Sequence, residues 1–146
     1  MMTEADPTLE RLEDQINWYD RKSCYNQRTY KSLKVIEIVA AALVPLSSGL
    51  HVPAALTGSL GVLIAVLEGL LQLNQYHQNG ITYRSTCESL KHEKYLYLAK
   101  AGPYASQDPA VAHTRLAERI ESLVSQEQAK WAAFQEQVAK PGEVAR

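Results

Sequence analysis

Between Val35 and Tyr83 the chain has no lysine and no arginine, and its only acids there are Glu37 and Glu68. All 15 basic residues lie in the flanks 1–34 and 84–146. A soluble helix normally keeps a wetted side that carries Lys or Arg. Their absence over this interval points instead to a lipid-embedded centre with water-exposed ends. Other absences narrow the chemistry. The chain has no glycine-rich phosphate loop, no His-Glu-x-x-His pair and no Cys-x-x-Cys spacing, which are the short patterns that carry phosphate or metal chemistry. His51, His77, His92 and His113 are scattered without a ligand spacing,. No catalytic residue, metal or cofactor is therefore expected, and the chain reads as a protein that is not an enzyme. A formal net charge of −1 lacks the basic excess of a nucleic-acid partner. No internal repeat or low-complexity segment is present. The two cysteines, Cys24 and Cys87, fall in flanks expected to be cytoplasmic, where thiols stay reduced, so no structural disulfide is expected.

Two apolar stretches occupy the basic-free interval, one from about Val35 to Leu50 and one from about Pro53 to Leu73. The second has about 20 mostly apolar residues, enough at ~1.5 Å per residue to cross a ~30 Å hydrocarbon layer. The first is shorter, contains Pro45, Ser47 and Ser48, and needs snorkelling ends or local thinning of the bilayer. The intervening "SSGLHVP" predicts a tight, uncharged turn. The expected fold is an all-α membrane protein: a two-transmembrane helical hairpin whose helices extend into a cytoplasmic helical bundle. A soluble helical bundle with a buried central hairpin is the alternative, and the negative mean hydropathy speaks for it. The first 34 residues are polar and contain no apolar core, so they do not read as a signal peptide.

Arg21, Lys22, Arg28, Lys31 and Lys34 precede the first span, Arg84, Lys91 and Lys94 follow the second, and the turn has only His51. Both termini are therefore expected in the cytoplasm, with the basic residues anchored on anionic lipid headgroups and Tyr30 and Tyr76 at the interface. Residues 1–34 form a helix continuous with the first span. Asp6 and Pro7 supply an N-cap and first turn, and no glycine or proline interrupts Thr8 to Val44. Leu9, Leu12, Ile16, Tyr19, Ser23, Asn26, Tyr30 and Leu33 recur at three- and four-residue steps, a heptad seam that turns polar toward the membrane,. The hairpin covers 35–73, and 74–101 extends the second span along Tyr83, Cys87, Leu90 and Tyr97, weakened only at Gly80,. After "AGPYASQDP", a helix over 110–139 places Leu116, Ile120, Leu123, Trp131, Phe134 and Val138 on one side,. Residues 140–146 are a frayed tail.

Three groups of residues are candidates for function. Glu37 and Glu68 lie about fourteen residues before and about seventeen after the turn, hence ~21–26 Å from it and in one layer. Glu37 shares a face with Ser48, and Glu68 shares one with Gln72. Repeated subunits turn such carboxylates into acidic rings at the cytoplasmic mouth of a cation-preferring pore; otherwise Glu68 is protonated, or snorkels to Lys31 or Lys34 as an element of packing. Gly58, Gly61, Ala65 and Gly69 form a stripe of small residues for close helix packing,, either between chains or against the first span of the same chain. Arg84, Glu88 and Lys91 share a helix face, and Asp20 lies at a similar height, within about 6 Å, so an inter-helix clamp from Asp20 to Arg84 is expected.

The stretches "INWYDRKSCYNQRTYKSLKVIEIVAAALVPL" and "GSLGVLIAVLEGLLQLNQYHQNGITYRSTCESLKHEKYLYLAKAGPY" resemble the small bacterial proteins of the domain of unknown function 4231, within the SLATT superfamily (SMODS- and SLOG-associating two-transmembrane effectors). The resemblance covers roughly 15–105. It rests on Trp18-Tyr19-Asp20, Asn26, Tyr30, Pro45, Gly61, Glu68, Tyr83-Arg84, Glu88, Lys91-His92-Glu93 and Pro103-Tyr104. Gly80-Ile81 departs from it, where related sequences tend to carry a tryptophan. The resemblance implies a bacterial inner-membrane protein in a superfamily proposed to supply membrane-perturbing or pore-forming effectors to defence systems governed by nucleotide signals. The expected function is thus a homo-oligomeric, ion-conducting or membrane-permeabilising assembly. Its partners are the lipid bilayer, its own copies, and an upstream signalling partner or its own bundle as trigger, with no nucleic acid. A non-conducting membrane scaffold is the rival reading.

Overall fold

A computed structural model describes residues 6–139. They form four α-helices, α1 (Pro7–Gly49), α2 (Ala54–Asn74), α3 (Tyr76–Leu98) and α4 (Pro109–Ala139), and a short 3-10 turn at Gly102–Tyr104. No strand occurs among the described residues. The tail at 140–146 and the side chains of Phe134 and Val138 lie outside the described residues.

The two helices that begin with proline start in the same way. Asp6 Oδ1 accepts the Thr8 amide at 2.9 Å, and Asp108 Oδ1 accepts the Ala110 amide at 2.9 Å. In each, proline takes the first helical position, where its missing N–H leaves no bond unmade. Nothing stops α1 until the glycine and serines near its end, and it runs through Pro45 without ending there. Proline removes one intrahelical donor, the one that would reach the Ala41 carbonyl; one turn on, the Ser47 hydroxyl donates to the Val44 carbonyl at 2.8 Å. His51, at a left-handed φ of 55°, turns the chain toward α2.

The break after the second apolar helix falls at Gln75 and not at Gly80. Gln75 adopts a φ of 47° and donates its amide to the Leu71 carbonyl at 3.0 Å, which closes α2 before α3 begins at Tyr76. Gly80 lies inside α3, and its lack of a side chain allows a close approach: a Cβ there would stand 3.1 Å from Gln27 Cγ and 3.6 Å from Asn26 Cβ on α1.

The chain divides into two compact units, Met1–Asp20 with Thr82–Arg146, and Arg21–Ile81. The first is a three-helix bundle. Leu12, Ile16 and Tyr19 of α1 meet Cys87 and Leu90 of α3 and Ala112, Leu116 and Ile120 of α4, with Tyr104 closing the group. The second contains the apolar helices. Its interior is sparse: Ser23, Asn26, Ala40, Leu67 and Leu71 are buried, whereas only 6% of the most apolar window of α1 and 11% of that containing α2 is buried. Ile38, Val39 and Leu46 of α1 and Leu56, Val62 and Val66 of α2 are all more than half exposed. Both helices are long and apolar enough to cross a membrane.

Candidate functional site

Within the Arg21–Ile81 unit, two polar contacts join α1 to α2 at opposite ends of an apolar pair. Near the turn, Ser47 Oγ and Thr57 Oγ1 are 3.1 Å apart. At the other end, Lys34 Nζ lies 3.1 Å from both oxygens of Glu37 and 3.1 Å from Glu68 Oε2. The opposite oxygen of Glu68 accepts from Gln72 Nε2 at 3.1 Å. One ammonium thus serves two carboxylates, and the cluster keeps one net negative charge. Its exposure is uneven: the Glu37 side chain is 14% exposed and that of Glu68 42%. Lysine suits this position because its ammonium has three donors and its long stem lets the charge reach beyond an apolar surface.

Of the remaining candidates in this unit, Ser48 is exposed and donates to Val44. The small-residue stripe faces open space. Among the described residues a Cβ placed on Gly58, Gly61 or Gly69 would meet nothing within 4 Å, and Ala65 is exposed. Buried Leu67 and Leu71 mark the inward side of α2 instead.

In the first unit Asp20, Arg84, Glu88 and Lys91 come together. Asp20 Oδ1 is 3.8 Å from Arg84 Nη1 and 3.6 Å from Lys91 Nζ, while Glu88 Oε1 is 2.8 Å from Arg84 Nη2 and 3.6 Å from Lys91 Nζ. Charges alternate around this group. All four side chains are 42–51% exposed, so each pair contributes no more than about 1 kcal/mol. The group orients α1 against α3 more than it stabilises them.

Two buried carboxylates in the same unit carry stronger constraints. Glu93 accepts the Tyr104 hydroxyl at 2.6 Å and lies 3.6 Å from Arg119 Nε, and Glu127 accepts the Tyr19 hydroxyl at 3.2 Å. Both had a sequence signal. The apolar stripe of α3 skips from Leu90 to Tyr97, and that of α4 skips from Leu123 to Trp131. Glu93 and Glu127 fill these gaps on the buried side, whereas Trp131 is 49% exposed. Burial and the neighbouring carboxylates push the Tyr19 and Tyr104 phenols well above the ordinary tyrosine range, and burial raises the Cys87 thiol.

These groups hold their protons to higher pH when folded than when unfolded. Their contribution is full below the unfolded values, about 8.5 for a thiol and about 10 for a phenol, and is lost as pH rises beyond them. The expected outcome is a thermal midpoint, followed by circular dichroism in detergent, that begins to fall above about pH 9 and falls more steeply above about pH 10. The double variant Tyr19→Phe, Tyr104→Phe should flatten that decline; an unchanged slope would show that the two phenols do not carry it.

Among the described residues no group of three His, Cys, Asp or Glu side chains is placed to hold a metal ion. Fold and clusters together define an all-helical protein with two long apolar helices and polar contacts at the two ends of the pair. The family described as Protein of unknown function (DUF4231) matches residues 14–112, and the chain belongs to that family. No curated protein and no solved structure matches it.

Proposed function

We propose that the protein is an integral membrane protein of the bacterial inner membrane, of the SLATT type, with α1 and α2 crossing the bilayer and both termini in the cytoplasm. The observation that carries this reading is the uncovered apolar surface of α1 and α2. Water exposure of so many Leu, Ile and Val side chains is unfavourable by about 25 cal/mol per Å², and lipid removes that penalty. The soluble-bundle alternative requires those faces to be covered by protein, whereas Ile38, Val39, Leu46, Leu56, Val62 and Val66 are more than half exposed. Basic residues confined to the flanks give the orientation.

The assembly reading is homo-oligomeric and ion-conducting. It draws on the open small-residue stripe of α2, which leaves a close-approach face available to another copy, and on Glu37 and Glu68 meeting in one layer with an excess of negative charge. An upstream partner, or the helical bundle formed by α1, α3 and α4, supplies the trigger. A non-conducting scaffold is favoured by one specific observation: Lys34 already engages both carboxylates, as a packing element would.

Planar-bilayer recording of the purified protein separates the two. Discrete conductance steps are expected of the assembly, and a silent bilayer supports the scaffold. Glu37→Gln and Glu68→Gln keep size and polarity while removing charge, so each should reduce cation preference without preventing assembly. Reversal potentials unchanged in both variants would leave the carboxylates as packing residues. Crosslinking in detergent that yields monomer alone would end the oligomeric reading.

A further inference from the structure

We propose that the face of α1 just ahead of the first span is a binding groove for the headgroup of one anionic phospholipid, an inference that rests on the membrane reading and deepens it. A groove of about 590 Å³ within the Arg21–Ile81 unit is lined by Arg21, Tyr25, Arg28, Thr29, Ser32 and Leu33, together with one cysteine. These positions recur at three- and four-residue steps and so share one side of the helix. The described lining contains two guanidiniums and no carboxylate. Arginine is the side chain best shaped for phosphate, because its planar fork donates two parallel hydrogen bonds. The hydroxyls of Thr29, Ser32 and Tyr25 add donors around it.

The order of polarity along this side matches a phospholipid. From Ser32 the same helical side continues through Ile36, Val39 and Leu43, which are 50%, 54% and 42% exposed. Arg28 lies seven residues before Val35, about 10 Å along the helix axis, so its long side chain reaches the headgroup layer, which is about 5–8 Å deep on each side of the hydrocarbon. Phosphate at Arg28 and Ser32 therefore leaves an acyl chain lying along Ile36, Val39 and Leu43. The Arg28 guanidinium repels the cationic end of a zwitterionic headgroup, so a lipid with net negative charge is preferred.

The test uses the full chain reconstituted in vesicles of phosphatidylcholine alone or mixed with phosphatidylglycerol. Vesicle flotation at alkaline pH comes first, followed by detergent release and native mass spectrometry. One phosphatidylglycerol per chain should be retained in preference to phosphatidylcholine. An Arg–phosphate contact corresponds to about tenfold or more in affinity, so Arg28→Gln should reduce retention about tenfold, and Ser32→Ala less. Lys100→Gln removes a charge of the same sign outside the groove and should leave retention unchanged, with circular dichroism confirming equal helicity in every variant. Equal retention of both lipids, or equal losses in Arg28→Gln and Lys100→Gln, would overturn the groove. Displacement of the lipid by millimolar inorganic phosphate would reassign it to a free anion. Protein that floats without retaining lipid removes the groove alone, whereas protein that fails to float removes the membrane reading as well.

Discussion

Leu116→Ala is expected to destabilise the three-helix unit by about 3 kcal/mol, within the range of about 2–5 kcal/mol for truncating a buried leucine. Leu116 is fully buried and lies in one cluster with Leu12, Leu90 and Ile120. The truncation removes contacts from three helices at once, and helices held by several neighbours cannot collapse far enough to fill the space. Val111 on the same helix is 53% exposed, so Val111→Ala should stay within about 0.5 kcal/mol of the parent. Denaturant titration in mild detergent, followed by circular dichroism, measures both. Equal midpoints for the two variants would show that the cluster does not hold this unit together.

Gly80→Ile is expected to destabilise the Arg21–Ile81 unit by about 1–3 kcal/mol, through overpacking. Gly80 is buried. The first carbon of any side chain there lies 3.1 Å from Gln27 Cγ and 3.5 Å from the Gln27 backbone nitrogen. The glutamine side chain is flexible and can yield to one methyl group, but the backbone behind it cannot yield to a branched side chain. Gly80→Ala should therefore be nearly neutral, since up to about 1 kcal/mol of helix propensity offsets the tight contact. Thermal scans of both variants decide the matter. A Gly80→Ile midpoint equal to that of Gly80→Ala would mean that α1 and α3 do not need this approach.

Helix limits were legible wherever a backbone-specific residue signals them. Asp6-Pro7 marks the start of α1, because proline and a capping carboxylate act within one turn; the same dipeptide at Asp108-Pro109 starts α4, although in the sequence it reads as part of the break before a helix over 110–139. The end of α2 was not legible in this way. Gln75 carries no strong preference for the left-handed region, so no residue-specific signal marks the break there. Glycine at 80 drew attention as a helix breaker, yet a glycine also serves where two helices must come close, and one sequence does not tell the two uses apart.

The seam of α1 shows the same division. Its period established which residues share a side, and Leu12, Ile16, Tyr19, Ser23 and Asn26 are all buried. Period does not say what lies opposite. Glu93 and Glu127 complete the apolar stripes of α3 and α4 because Tyr104, from the turn just after α3, and Tyr19, from the far end of the chain, bond them, and a buried carboxylate is tolerated only with such partners.

By itself the sequence determined the helical class, the two apolar segments, the turn between them and the confinement of basic charge to the flanks. These follow from composition and period, which act over a few residues at a time. Tertiary structure alone decided that one lysine, Lys34, engages both Glu37 and Glu68. It also decided that Asp20 reaches Lys91 as well as the Arg84 expected of it, and that a side chain added at Gly58, Gly61 or Gly69 of α2 would meet nothing within 4 Å among the described residues. Each of these depends on the rotation of one helix against another, which is set by the summed packing of many side chains and is not encoded at any single position.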